Sequence, residues 1–271
     1  MRAIYIPIAL LLLVSCSKVN NSKRTESDIY SANKIKTKTE YISRINLGIE
    51  EKEHVKEIKE FNSKGLATKE TIYKNDGSLQ TITTFEYDPD NNLIKTRKVS
   101  KDSSFLVKYI SSYDAKNHLT EQYCYEESEN GPFLYHKVFG YDGNGKLMTV
   151  NWYWPTGKRA VDKYIYEGNN AKEFTESNSY GDLLFKWTYK YDNRNNLIES
   201  IQYYDSVAIN AKIVYVYNPN NEMVKQTKYN KTVVDYTAAY EYDDKGLLTA
   251  KTEFALSGKA MAKYKYKYGT Y

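Results

Sequence analysis

The chain has 271 residues, a formal net charge of +5, 29 tyrosines, three histidines and two cysteines. Its lysines are spread along the sequence instead of gathered in a patch, which argues against nucleic acid as a partner. No phosphate loop, dinucleotide fingerprint or nucleophile elbow occurs, and no histidine pair has metal-ligand spacing, so neither a cofactor nor a bound metal is expected.

Arg2 supplies a short positive start, and Ile4 to Val14 form an apolar run of about 11 residues. That is too short to cross a bilayer core, which takes roughly 20 helical residues, and it reads as an export signal. Leu13-Val14-Ser15-Cys16 resembles the bacterial lipobox. The resemblance implies cleavage after residue 15 and lipidation of Cys16, leaving Cys124 without an internal disulfide partner. Residues 16–37 are rich in Ser, Asn, Lys and Thr and are expected to form a flexible tether, because so few apolar side chains cannot offset the entropy of ordering.

Residues 38–271 are expected to form one repeat domain. An aromatic residue, usually followed by Asp, then a Gly/Asn turn and a Leu, recurs from Phe61 through Tyr87, Tyr113, Tyr141, Tyr166, Tyr191, Tyr217, Tyr242 and Tyr268. The spacings are 26, 26, 28, 25, 25, 26, 25 and 26. Side chains of a strand alternate faces with period two. Trp187, Tyr189 and Tyr191 therefore share a face, as do Tyr264, Tyr266 and Tyr268. Apolar residues twelve positions after the leading aromatic, such as Tyr125, Tyr153 and Tyr203, are expected on that same face. Pro89, Pro132, Pro155 and Pro219 all fall at expected turns, where a missing N–H does no harm. The fold class is all-β: an antiparallel meander of repeated hairpins, roughly 16 to 18 strands, forming an elongated sheet that twist curls into a strip.

Tyr141-Asp142-Gly143-Asn144-Gly145-Lys146-Leu147 and its counterparts resemble the YD repeats of rearrangement-hotspot (RHS) proteins, over about residues 55–271. In that family long arrays wind into shells around a C-terminal toxin. About eight copies are too few to imply a closed shell, and the encapsulating role does not carry over. A second resemblance, to short lipoproteins and antitoxin-like proteins built from Tyr/Gly hairpins, implies that the array itself binds.

Asp88, Asp90 and Asn92 alternate as in a calcium loop but lack its glycine and distal glutamate, so a backbone-bonding turn is the expected role. If Tyr141 pairs with Leu147, a regular register sets Tyr135 opposite Tyr153, with His136 opposite Trp152 and Leu134 opposite Trp154 on the reverse face. Leu134, His136, Trp152 and Trp154 are thus the candidate binding residues, an apolar patch amid Lys, Glu, Thr and Ser. The expected function is non-enzymatic: a lipid-anchored binding or scaffold protein of the bacterial cell envelope. It is expected at the outer membrane, recognising a protein or glycan, with the membrane face left open. The alternative is an immunity- or antitoxin-type inhibitor.

Overall fold

The computed structural model describes residues 25–101, 106–126, 131–204 and 207–271. Cys16, the signal and the first part of the tether lie outside them. Helix α1 (Glu26–Ala32) is followed by nineteen strands, each antiparallel to its neighbours. Strand β1 (Ile35–Asn46) pairs on one side with β3 (His54–Phe61) and on the other with β19 (Ala260–Thr270). The expected open strip is therefore a closed barrel of eighteen strands; the two-residue β2 (Ile49–Glu50) only extends the end of β1. Closure removes both sheet edges, which a strip would leave unpaired in water.

The turns are built as the motif requires. In each Tyr-Asp turn the carboxylate or amide after the aromatic accepts backbone N–H groups two or four residues on, as Asp192 does from Arg194 at 2.9 Å and Asn196 at 2.8 Å. The fourth turn residue has positive φ and is Asn at 91, 117, 195 and 221 and Gly at 65, 145 and 246; both types tolerate the left-handed region. Neighbouring turns are stitched along the rim, Asn92 to Asn117 and Asn196 to Asn221, each at 3.0 Å.

After each turn the outgoing strand carries an extra residue. Tyr141 pairs with Leu147, but Thr149 pairs with Gly140, so Met148 bulges. The same shift follows Tyr87–Leu93, Tyr113–Leu119, Tyr191–Leu197, Tyr217–Met223 and Tyr242–Leu248. A bulge interrupts the period of two. The residues at offset twelve consequently lie on the opposite face from the leading tyrosines, not on the same one. Tyr125 pairs with Lys108, Tyr203 with Lys186 and Tyr229 with Lys212.

The leading aromatics themselves share one face throughout, and it is the inner one. In β19, Ala262 and Tyr264 are buried while Lys263, Lys265 and Lys267 are exposed. Outside, cross-strand pairs such as Lys69–Glu60, Lys95–Glu86 and Lys190–Glu199 sit at 2.7–3.1 Å. An aromatic interior with a Lys/Glu exterior suits water, the reverse of a lipid-facing band. Eighteen strands, tilted as in closed barrels, give a perimeter of about 110 Å, beyond what side chains fill in eight-strand barrels. Among the described residues no strand comes within 8 Å, Cα to Cα, of any but its bonded neighbours.

The expected tether folds from Thr25 onward. Thr25 and Asp28 form a capping box for α1. Tyr30, 4 % exposed, packs with Ile35, Phe61 and Leu247. These apolar anchors outweigh the polar residues between them. The helix thus lies across part of the mouth formed by the Tyr-Asp turns.

Candidate functional site

The site lies on the inner wall toward the other mouth. It is carried by β9 (Phe133–Tyr141), β10 (Leu147–Tyr153), β11 (Arg159–Glu167), β12 (Asn170–Asn178) and β13 (Leu183–Tyr191). Because of the bulge at Met148, Trp152 pairs with Lys137 and Tyr153 with His136. Trp152 therefore shares the inner face with Tyr135, Lys137 and Val150, while His136 and Tyr153 point outward. The expected four-residue patch is divided. Trp152 and Trp154 stay together, their rings parallel within 10° at 5.7 Å, with Tyr135 5.3 and 6.5 Å from them. Leu134 is the residue skipped where β9 bulges against the preceding strand Leu119–Glu126. His136 instead joins an outer row in which Tyr123, His136, Tyr153 and Arg159 are successive cross-strand partners. Its ring stacks on Tyr123 at 4.1 Å, and its Nε2 is 3.8 Å from Glu121.

Three charged residues complete the wall. Asp162, only 3 % exposed, accepts the Trp152 indole N–H through Oδ2 at 2.9 Å, while its Oδ1 has no hydrogen-bond partner. Lys137 sets its ammonium 3.8 Å over the Trp152 ring. Glu176 is the direct cross-strand partner of Asp162. Burial, with Glu176 adding to it, pushes Asp162 up to about 7, against the Trp152 hydrogen bond and the Lys137 charge. Burial likewise brings Lys137 down to about 8 and holds Glu176 above its ordinary value; the Trp152 face works the other way on Lys137 by favouring the cation. Below them lie Val150, Tyr164, Phe174 and Tyr189, all buried, with Trp187 packed against them. All three tryptophans of the chain thus belong to one wall.

Lys137, Asp162 and Glu176 were not legible as site residues, since 34 acidic side chains offered no means of choosing. A signal did exist: Asp162 falls between Ala160 and Tyr164, at a position that alternation assigns to the apolar face. The mouth opposite holds a cleft of about 330 Å³ lined by Asp114, His118, Tyr141 and Asp142. There Asp114 is occupied by the N–H groups of Lys116 and His118, at 2.8 and 2.9 Å, as a turn-forming carboxylate.

No family model matches the chain, and no curated protein does. Among solved structures, a TcdB2–TccC3 crystal structure is 11% identical with a TM-score of 0.38, covering 82% of this chain and 14% of that one. The chain therefore spans about a seventh of that protein's length. A porin-like protein from Bacteroides uniformis is 12% identical with a TM-score of 0.44, covering 87% of this chain and 96% of that one. A porin-like protein from Bacteroides vulgatus is 10% identical with a TM-score of 0.35, covering 85% and 98%.

Proposed function

We propose that the chain is a non-enzymatic binding protein of the bacterial cell envelope, anchored through a lipid on Cys16 at the outer membrane, whose barrel accepts a glycan in its lumen. We also read its beat of 25 to 28 residues as a YD-type repeat, similar to that of RHS proteins. The observation that carries the binding reading is the parallel pair Trp152–Trp154 beside Tyr135 on the inner wall. Flat aromatic faces stack against the apolar faces of sugar rings, and nearby polar groups fix orientation. The pair lies at the mouth away from α1, so a chain tethered at its N-terminus presents it outward from the membrane.

The intrinsic tryptophan fluorescence of the mature chain reports directly on this wall. Titration with a glycan panel should shift it saturably, and calorimetry should find that Trp152→Ala with Trp154→Ala abolishes binding while far-UV circular dichroism stays native. A full panel with no response, or ligand binding unaffected by the double substitution, removes the reading. Mass spectrometry of protein from native membranes should find acyl groups on Cys16 and nothing before it. The outer row Tyr123–His136–Tyr153–Arg159 favours a second reading, an immunity-type inhibitor with a protein partner, which a single stoichiometric partner in pull-downs would support.

A further inference from the structure

We infer that the inner wall takes a glycan bearing a free amino group, a hexosamine whose ring lies on Trp154 and Trp152 and whose ammonium turns toward Glu176. The inference rests on the reading of the lumen as a glycan site and names the class of sugar.

Asp162 and Glu176 are directly opposed on β11 and β12 and share the inner face. The cation of this wall is Lys137, on β9, and it lies over Trp152 instead of within 4 Å of either carboxyl. One ammonium thus faces two carboxyl groups. Both are held above their ordinary range, largely by burial. An added cation would offset the surplus and let both ionise.

The two acids differ in reach. Asp162 is almost fully buried, with one oxygen held by the Trp152 indole and the other unpartnered. It is a positioning residue that fixes the plane of Trp152. Glu176 is half-buried and makes no ion pair among the described residues, so its carboxylate is the one a ligand can touch. The place Lys137 occupies shows that an ammonium fits against these rings: Nζ is 3.8 Å from the Trp152 centre and 5.4 Å from that of Tyr135. An amine beside aromatic faces and a carboxylate is held by cation–π attraction and a charge-assisted hydrogen bond together.

The test uses the mature full-length chain and three tetrasaccharides: β-1,4-linked glucosamine, its fully N-acetylated form, and the neutral glucose tetramer. Affinities come from tryptophan fluorescence and calorimetry at neutral pH. The amine form should bind about tenfold tighter than the other two, as expected for one charge-assisted contact. That preference should shrink as ionic strength rises. Glu176→Gln should bring the three ligands within about threefold of one another. Trp154→Ala should weaken all three. Equal binding of amine and N-acetylated forms overturns the amine inference and leaves the glycan reading standing. A preference that survives Glu176→Gln also overturns it. No binding of any of the three by the natively folded chain overturns the amine inference, and a full glycan panel without response then removes the glycan reading as well.

Discussion

The hydroxyl of Tyr217 donates to the backbone carbonyl of Leu197 at 3.0 Å, across one complete hairpin. The same bond joins Tyr87 to Ala67, Tyr113 to Leu93, Tyr141 to Leu119, Tyr166 to Leu147, Tyr242 to Met223 and Tyr268 to Leu248. In each case the acceptor adjoins the post-turn bulge, where the ladder is interrupted. A phenol hydroxyl, which Phe lacks, therefore ties each of these seven repeats to the one before. Tyr217→Phe keeps the half-buried ring and deletes the bond, and should lower unfolding stability by about 1–2 kcal/mol. Urea denaturation checks this, with Tyr180→Phe, at a fully exposed ring, expected within about 0.5 kcal/mol of the parent.

Gly65 tests the seat of α1. A Cβ built there would lie 2.1 Å from the Ser27 carbonyl oxygen, and its φ of +74 is itself unfavourable for other residues. Gly65→Ala should unseat the helix at a cost of about 1–3 kcal/mol. It should also make the segment around Ser27 cleavable by protease in the otherwise folded barrel. A variant as resistant as the parent would mean that α1 is not held by this contact.

The hairpin beat, the turn chemistry and the shared face of the leading tyrosines could be read from spacing because each is a local rule. Closure could not. It depends on β1 meeting β19, a pairing between residues such as Ile42 and Tyr264 that no short-range pattern encodes. The separation of His136 from Trp152 has a single cause. One bulged residue, Met148, exchanges the faces of everything after it in β10, so that His136 and Trp152 part company. Where Thr occupies the bulge its hydroxyl bonds back across the pair, Thr120 to Ser112 and Thr249 to Glu241, each at 3.1 Å. A Thr one position after the Leu is a faint signal, but Met148, Ile94 and Ile198 give none.

Cys124 supplies a probe of global opening. It is 1 % exposed on the inner face between Tyr109 and Tyr135, its pairing partners on either side. Burial raises the thiol above its ordinary value, so the reactive thiolate is scarce as well as covered. In the native barrel it should resist an aromatic disulfide reagent, and the rate of labelling in urea should follow the unfolding curve. Rapid labelling without denaturant would mean that the wall at Cys124 opens locally.

The pH dependence of stability should show an acid limb that Asp162 creates. A carboxyl raised to about 7 keeps its proton in the folded state while the unfolded chain has already lost its own. The stabilisation that Asp162 provides is complete below about 4 and disappears as pH rises through about 7. Lys137 has the opposite sign. Lowered to about 8, it is buried as a cation below that pH at a cost, which is relieved as pH climbs toward the unfolded value near 10.5. Stability should therefore fall between about pH 4 and 7. Above about pH 8 the gain from Lys137 is opposed by tyrosines such as Tyr191, Tyr217 and Tyr242, which burial pushes up to about 12, so that the unfolded chain loses their protons first. The turn carboxylates Asp88, Asp114 and Asp192, held below their ordinary value by hydrogen bonds, act only under about pH 4 and leave this window alone. Asp162→Asn preserves an acceptor for Trp152 and should flatten the acid limb; Glu176, itself raised, supplies what slope remains. Urea midpoints measured from pH 4 to 10 decide the matter. An acid limb as steep in Asp162→Asn as in the parent would show that this carboxyl ionises no less readily in the barrel than in the open chain.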